Sequence, residues 1–326
     1  MSTAVHPRAA EALRSRVDAW WFAPRSPVDL GVGRAVFFAV LAVLYVPYDF
    51  RLWADVDPVF WRPTWSFAVL HLPILDAATL GVLQRVWKAA LVSACLGLAT
   101  RASIVIALVL GFYLLGLPHC FGKIHHYDAF LIFVFAILAI ARAGDAFALD
   151  RVLARRRGGG AAAVPPPSGE YTWPLRAIQT VLALVFFTAG MSKLRTSGLA
   201  WVFSDSMAIF LVQHQYHLGN AVPLTAIGLL LARSAWVCRG LAAAAIACEV
   251  GYPLALVSRR VRAVVVPGML LMQLGIRVLL GPTFMHMMAC NVFWVPWERV
   301  LGWTRAYVLA PAELRAQRRA ASRATS

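Results

Sequence analysis

Acidic side chains are scarce in this chain: Asp and Glu number 15 against 31 Lys and Arg, and all charged residues together make up 14% of 326. With 60% hydrophobic residues and a mean hydropathy of +0.69, that shortage excludes an ordinary water-soluble domain. The formal charge of +16 would suggest nucleic acid in a soluble protein. Here the arginines lie between apolar runs and in the tail, so the charge reads as membrane topology and no nucleic-acid partner is expected. Cysteine offers no framework either. Cys95, Cys120, Cys238, Cys248 and Cys290 are scattered, without a CxxC pair or metal-ligand spacing, so neither a disulfide scaffold nor a metal is expected. Also missing are a Walker A loop, GxGxxG, HExxH, a GxSxG nucleophile and a set of histidines suited to haem, which removes nucleotide-driven chemistry. No internal repeat is visible, which weakens a secondary-transporter reading.

What remains is a series of apolar runs at 30–48, 79–99, 102–118, 127–141, 173–192, 236–257, 263–280 and 283–300. At roughly 20 residues per span, they predict an all-α, polytopic integral membrane bundle of about eight transmembrane helices. The runs at 199–212 and 221–231 are short and fit surface or re-entrant helices, although a ninth span near 221 is the alternative. Residues 1–29 carry Arg8, Arg14, Arg16 and Arg25 with Trp20, Trp21 and Phe22, the pattern of an interfacial amphipathic helix rather than a cleaved signal peptide. The expected organisation is therefore an interfacial segment (1–29), a transmembrane domain (30–303) and a basic tail (304–326).

Arg142, Arg151, Arg155, Arg156 and Arg157 precede a Gly/Ala/Pro-rich linker at 158–169. The positive-inside tendency places this linker, both termini and the Arg259, Arg260, Arg262 cluster in the cytoplasm; Arg233 and Arg239 are the exceptions. A bacterial inner membrane is the expected location. In this orientation the 118–126 loop and Lys193 fall on the outer side, Arg85 and Lys88 in the outer half of the second span, and Glu249 near the bilayer centre. Ionisable groups in such places are costly unless they face a partner or a wet cavity, so together they are a site hypothesis.

Lys193 ends a long apolar run, with Arg195 and Trp201 close behind. It is either an interfacial anchor or a desolvated amine available for proton transfer. His125 and His126 open the fourth span just before Tyr127 and Asp128; as neighbours they cannot share one helix face, so hydrogen bonding, proton transfer or simple helix capping suits them better than a metal. Glu249 must be neutral, paired or near water, and an ion pair with Arg85 or Lys88 is its structural explanation.

In order along the chain, His125-His126-Tyr127, Asp145 to Asp150 with Arg151, Ala189-Gly190-Met191-Ser192-Lys193-Leu194 with Trp201, and Glu249-Val250-Gly251-Tyr252-Pro253 resemble the horizontally transferred transmembrane domain family. That family includes the membrane part of vitamin K-dependent gamma-carboxylase. The resemblance covers most of residues 30–300. It implies that Lys193 is the base that deprotonates a reduced vitamin K or other quinol, with His125 or His126 assisting, His126 being taken first. Glu249 joins this catalytic set, and Trp201, Arg85 and Lys88 the ligand-binding set. It further implies lyase or oxidoreductase chemistry on a quinone ligand, and an exported peptide or partner subunit as the substrate side. Against the carboxylase, no large domain beyond the membrane part is expected here, and Met272-Gln273 stand near where a later-span histidine is expected.

A lysine serves as base near neutrality only when burial or neighbouring cations favour loss of its proton, so the base reading requires Lys193 and Glu249 to stand apart. Two alternatives come from other classes. One is a transporter or channel lined by Arg85, Lys88 and Glu249. The other is a scaffold that holds an exported partner on the segment 199–216.

Overall fold

The computed structural model describes residues 7–122, 126–157, 164–218, 225–281 and 284–304; for 7–10, 126, 127, 214–218, 225, 226 and 304 it describes the backbone alone. The basic tail beyond 304, His125 and half of the linker thus lie outside the described residues. Helices dominate: α1 (Pro7–Phe22), α2 (Pro27–Tyr45), α3 (Trp65–Val69), α4 (Ala77–Leu96), α5 (Thr100–Gly116), α6 (His126–Ile140), α7 (Leu149–Arg156) and α8 (Thr172–Ser197). They continue as α9 (Ala200–Phe203), α10 (Ser206–Leu218), α11 (Thr225–Ala232), α12 (Ala235–Gly251), α13 (Leu254–Val257), α14 (Arg259–Leu279), α15 (Met285–Cys290) and α16 (Trp297–Thr304). Among the described residues no strand forms beyond one isolated bridge between Arg25 and Ser168.

Local chemistry explains the helix starts and the tightest turn. Ser26 caps α2 and Pro27 takes its first position, where a missing N–H costs nothing; Asp76 caps α4 by accepting from the Thr79 N–H at 2.9 Å. The α4–α5 turn puts both Gly97 (φ +69) and Ala99 (φ +44) in the left-handed region, which is strained for alanine. Asp150 holds it there, accepting from Ala99 N–H (2.7 Å), Thr100 N–H (2.8 Å) and the Thr100 hydroxyl (2.8 Å), while its own N–H donates to Gly97 O (3.0 Å). Burial pushes the Asp150 carboxyl up, but these donors outweigh it and hold the group below its ordinary value. A carboxyl held low in the fold stabilises it above the unfolded value and stops doing so as pH falls through the folded one. Asp150→Asn is therefore expected to cost about 1 kcal/mol at neutral pH. Melting curves of both proteins in detergent should converge below about pH 4; a gap that is constant with pH would contradict the capping role.

The core is aromatic. Phe38 stacks on Phe135 at 5.5 Å, Phe37 packs against Phe135 and Phe293, and buried Trp87 donates to Ala107 O at 3.0 Å. Gly111 makes that last contact possible, since a β-carbon there would lie 3.0 Å from the Trp87 nitrogen.

Four helices are long and apolar enough to cross a membrane by length and composition: Pro27–Tyr45, Thr100–Phe121, Gly169–Ser197 and Arg259–Leu279. Asp128–Ile140 is apolar but shorter. The fourth of these has only 17% of its most apolar stretch buried, with Val264 and Leu271 largely exposed. Such a face requires a non-aqueous neighbour.

The expectation of a final spanning helix over 283–300 is corrected. This stretch is α15, of six residues, then a 3₁₀ turn (Asn291–Trp294), a break at Pro296 and α16. Yet it runs the length of α2: the His286 ring lies 5.1 Å from that of Tyr45, Phe293 lies 5.5 Å from Phe37, and Glu298 N–H donates to Asp29 at 2.9 Å. Those α2 residues are about 24 Å apart along the helix axis. Irregular backbone inside the bundle is tolerated because side chains satisfy it. Gln179 donates to Phe293 O, Trp297 to Val292 O and Asn291 to Met287 O, and the Tyr252 hydroxyl donates to Asn291 at 2.8 Å.

Candidate functional site

α2 and α8 begin at the same end of the bundle, because Arg25 pairs with Ser168 and the Thr172 hydroxyl donates to Ala23 O. Their C-terminal residues, Tyr45 and Lys193, therefore point towards the opposite end. There α8 and α12 approach so closely at Gly190 that an added β-carbon would meet Glu249 Cβ and Val250 Cγ2, each at 2.9 Å. Lys193 is one turn further along the same face of α8, which aims its amine at Glu249.

The result is a direct pair: Lys193 Nζ donates to both Glu249 carboxylate oxygens, each at 2.6 Å. The Glu249 side chain is 8% exposed and that of Lys193 25%, so the lysine is the outer member. The Trp201 ring stands 5.7 Å from the ammonium, with Phe210 against it at 5.8 Å. The Trp201 Nε1–H is buried yet makes no hydrogen bond among the described residues. A buried donor without an acceptor calls for an explanation, and an oxygen-bearing ligand beside the ammonium is one. This geometry corrects the expected separation of Lys193 from Glu249. Lys193 therefore stands here as the donor of a close ion pair and not as an amine set apart from acid.

Arg85 and Lys88 do not join them. Lys88 donates to Val46 O (3.0 Å) and Tyr48 O (2.5 Å), closing the C-terminal end of α2, and Arg85 lies exposed on α4. Among the described residues the Glu249 carboxylate is ion-paired with Lys193 alone, so the expected ion pair with Arg85 or Lys88 is not formed, nor is a path lined by all three.

A second polar group assembles from α2, α6, α15 and the turn after α5. Tyr45 donates its hydroxyl to Asp128 Oδ1 at 2.8 Å, and His119 Nε2 lies 3.4 Å from Asp128 Oδ2. His286 completes the group, its ring against Tyr45 and within reach of the Asp128 charge. All four are at least nine-tenths buried. The carboxylate accepts from the phenol and faces an imidazole, the residue types that a proton path uses. Of the histidines expected here, His125 is outside the described residues and His126 opens α6 with its side chain undescribed. Tyr45 and His286 were missed in the sequence. His286 sits among Met285, Met287 and Met288, and a lone ionisable residue in an apolar run was the available signal. The later part of the chain thus does bring a histidine into the interior, though not at Met272-Gln273.

A cleft of about 450 Å³ opens at the other end of the bundle, lined by Arg101, Arg142, Asp145, Asp150 and Arg151 among others. Its acids serve the fold: Asp145 pairs with Arg142 at 2.9 Å and accepts from the Tyr171 hydroxyl at 2.7 Å, and Asp150 holds the α4–α5 turn. Among the described residues no group of three or more His, Cys, Asp or Glu is placed to hold a metal.

No family model, curated protein or solved structure matches the chain.

Proposed function

We propose that the chain is a bacterial inner-membrane enzyme of the carboxylase-like kind, binding a quinol-type lipid at Lys193, Glu249 and Trp201. The observation that carries this reading is the doubly bridged Lys193–Glu249 pair beside the unsatisfied Trp201 Nε1–H, set in an apolar bundle. The residues fit a ligand with an apolar body and a ring oxygen: Trp201 donates to the oxygen, the Lys193 ammonium faces it, and apolar side chains take the rest. When bound, such a lipid supplies an acidic ring hydroxyl. Glu249 is the proton acceptor, and Lys193 supplies the positive charge that stabilises the anion left behind, so the pair works as one acid–base unit. The relay of Tyr45, Asp128, His119 and His286 stands towards the same end, with His126 at the start of the same α6. Eight passes through the membrane, both termini in the cytoplasm and an exported peptide as final substrate complete the proposal.

The test is oxidation or epoxidation of a reduced naphthoquinone by the purified protein in detergent. Lys193→Ala is expected to lower turnover by about 100-fold or more. Lys193→Arg should keep a measurable part of it, because the cation is retained. Equal turnover by wild type and Lys193→Ala would sink the site assignment; an arginine variant as dead as the alanine one would return the base role to the lysine itself.

A further inference from the structure

At the end of the bundle opposite Lys193, two arginines and a tryptophan from different elements converge on one carbonyl, with a third arginine nearby. Arg176 on α8 donates to Leu256 O at 3.5 Å, and Arg262 on α14 donates to the same oxygen at 3.2 Å and to Ala255 O at 2.8 Å. Trp20 on α1 donates to it as well, at 3.3 Å. Arg25, just after α1, is close enough for its charge to bear on both Arg176 and Arg262. Two of the guanidiniums lie on indole faces, Arg176 at 4.5 Å from Trp20 and Arg262 at 4.9 Å from Trp294. Stacking fixes the plane of each. Arg262 gives its Nε–H and one NH2 group to carbonyls, and Arg176 gives one NH2 group to Leu256 O and to Gln179 Oε1 (3.4 Å), so the remaining N–H groups are what an anion would meet.

Acid is nearly missing here. Arg25 reaches Asp29 only at 3.8 Å, and that carboxylate is already accepting from the Glu298 N–H. Neither Arg176 nor Arg262 has a carboxylate partner among the described residues. The Arg176 Nε–H is buried and makes no hydrogen bond among the described residues. Three like charges held together with so little compensation repel one another, and the buried Arg176 Nε–H without an acceptor adds to that cost. An anion in their midst removes both penalties at once. The tetrahedral oxygens of a phosphate match guanidinium edges presented from three directions.

We propose that Arg25, Arg176 and Arg262 form a binding site for a phosphate anion. The surroundings favour a phosphate carried by an anionic lipid: Leu13, Val17 and Phe22 on α1 and Val257 at the end of α13 are exposed apolar residues at this end of the bundle. Acyl chains lie along such a surface while the headgroup meets the basic pocket. The inference is independent of the chemistry at Lys193.

Thermal unfolding of the full chain, stripped of lipid in a neutral detergent, tests it. Titrations would use dioctanoyl phosphatidylglycerol, dioctanoyl phosphatidylcholine and inorganic phosphate. A saturable rise in Tm with phosphatidylglycerol identifies a lipid site; one with inorganic phosphate identifies a free-ion site. In either case Arg262→Gln and Arg176→Gln should weaken the midpoint by about tenfold or more. Arg239→Gln, which removes a guanidinium stacked on Trp236 far from this site, should leave it unchanged. Each variant is read against its own ligand-free Tm, so lost stability does not hide the effect. If Arg176→Gln fails to fold, Arg262→Gln decides. The proposal is overturned if neither phosphatidylglycerol nor phosphate gives a saturable rise. It is also overturned if phosphatidylcholine does as well as phosphatidylglycerol, or if the glutamine variants respond as wild type does.

Discussion

Glu249→Ala is expected to unfold about 5 °C below the wild type in detergent, from a loss of about 2–3 kcal/mol. The loss arises because the Lys193 ammonium is left among apolar side chains with no acceptor where it had two, each at 2.6 Å. It stays below that for a fully buried pair because the lysine side chain keeps 25% of its surface and can turn towards water. Lys193→Ala alone should also destabilise, since it strands the deeper carboxylate. The double variant Lys193→Met with Glu249→Leu should regain most of the loss, because replacing both charges by apolar groups of similar size removes the desolvation cost as well as the attraction. Differential scanning fluorimetry on the wild type, Lys193→Met, Glu249→Leu and the double variant gives the coupling directly. Strict additivity would mean that the pair contributes nothing. Turnover should separate from stability: the double variant is expected to fold well and be inactive.

Gly190→Ala should be destabilising although alanine is the better helix former. Its β-carbon would sit 2.9 Å from both Glu249 Cβ and Val250 Cγ2, closer than packed carbons approach, so α8 and α12 must move apart. Overpacking of this kind costs roughly 1–3 kcal/mol and outweighs the gain of about 1 kcal/mol in helix propensity. A separation of the two helices also lengthens the Lys193–Glu249 contact, so activity should fall together with Tm. The matched control is Gly240→Ala on α12, where an added β-carbon meets nothing within 4 Å. There the propensity gain stands alone, and Tm should rise slightly. A Gly190→Ala protein as stable as the Gly240→Ala protein would show that the close approach does not carry the site.

Much of the helix pattern was legible because its signals are local. Ser26-Pro27, Asp76 with Thr79, and Ser258 start helices by side-chain capping within a few residues, and Gly97 ends one by adopting φ +69. The segment 283–300 misled because its apolar composition is that of a span, while Asn291 and Pro296 break the helix inside it. Burial against α2 and hydrogen bonds from Gln179 and Tyr252 make that break tolerable, and those partners are over 35 residues away in sequence.

The candidate site was half legible. Lys193, Glu249 and Trp201 stood out singly, as polar or amphipathic groups bordering apolar runs. Their meeting did not, because helices apolar on nearly every side carry little record of which face turns inward. For the same reason Arg85 and Lys88 were grouped with Glu249 on depth alone, whereas rotation of α4 sends Lys88 to the end of α2.

By itself the sequence determined what depends on composition and near neighbours: an apolar helical chain, its punctuation, its basic flanks and the few ionisable residues that need a partner. The tertiary structure alone decided who the partners are. It set Lys193 on Glu249, Asp128 between Tyr45 and His119, and Arg176 beside Arg262, because contacts between helices depend on how each one is rotated and how closely a neighbour can approach. At Gly190 that approach is set by the absence of a single carbon atom.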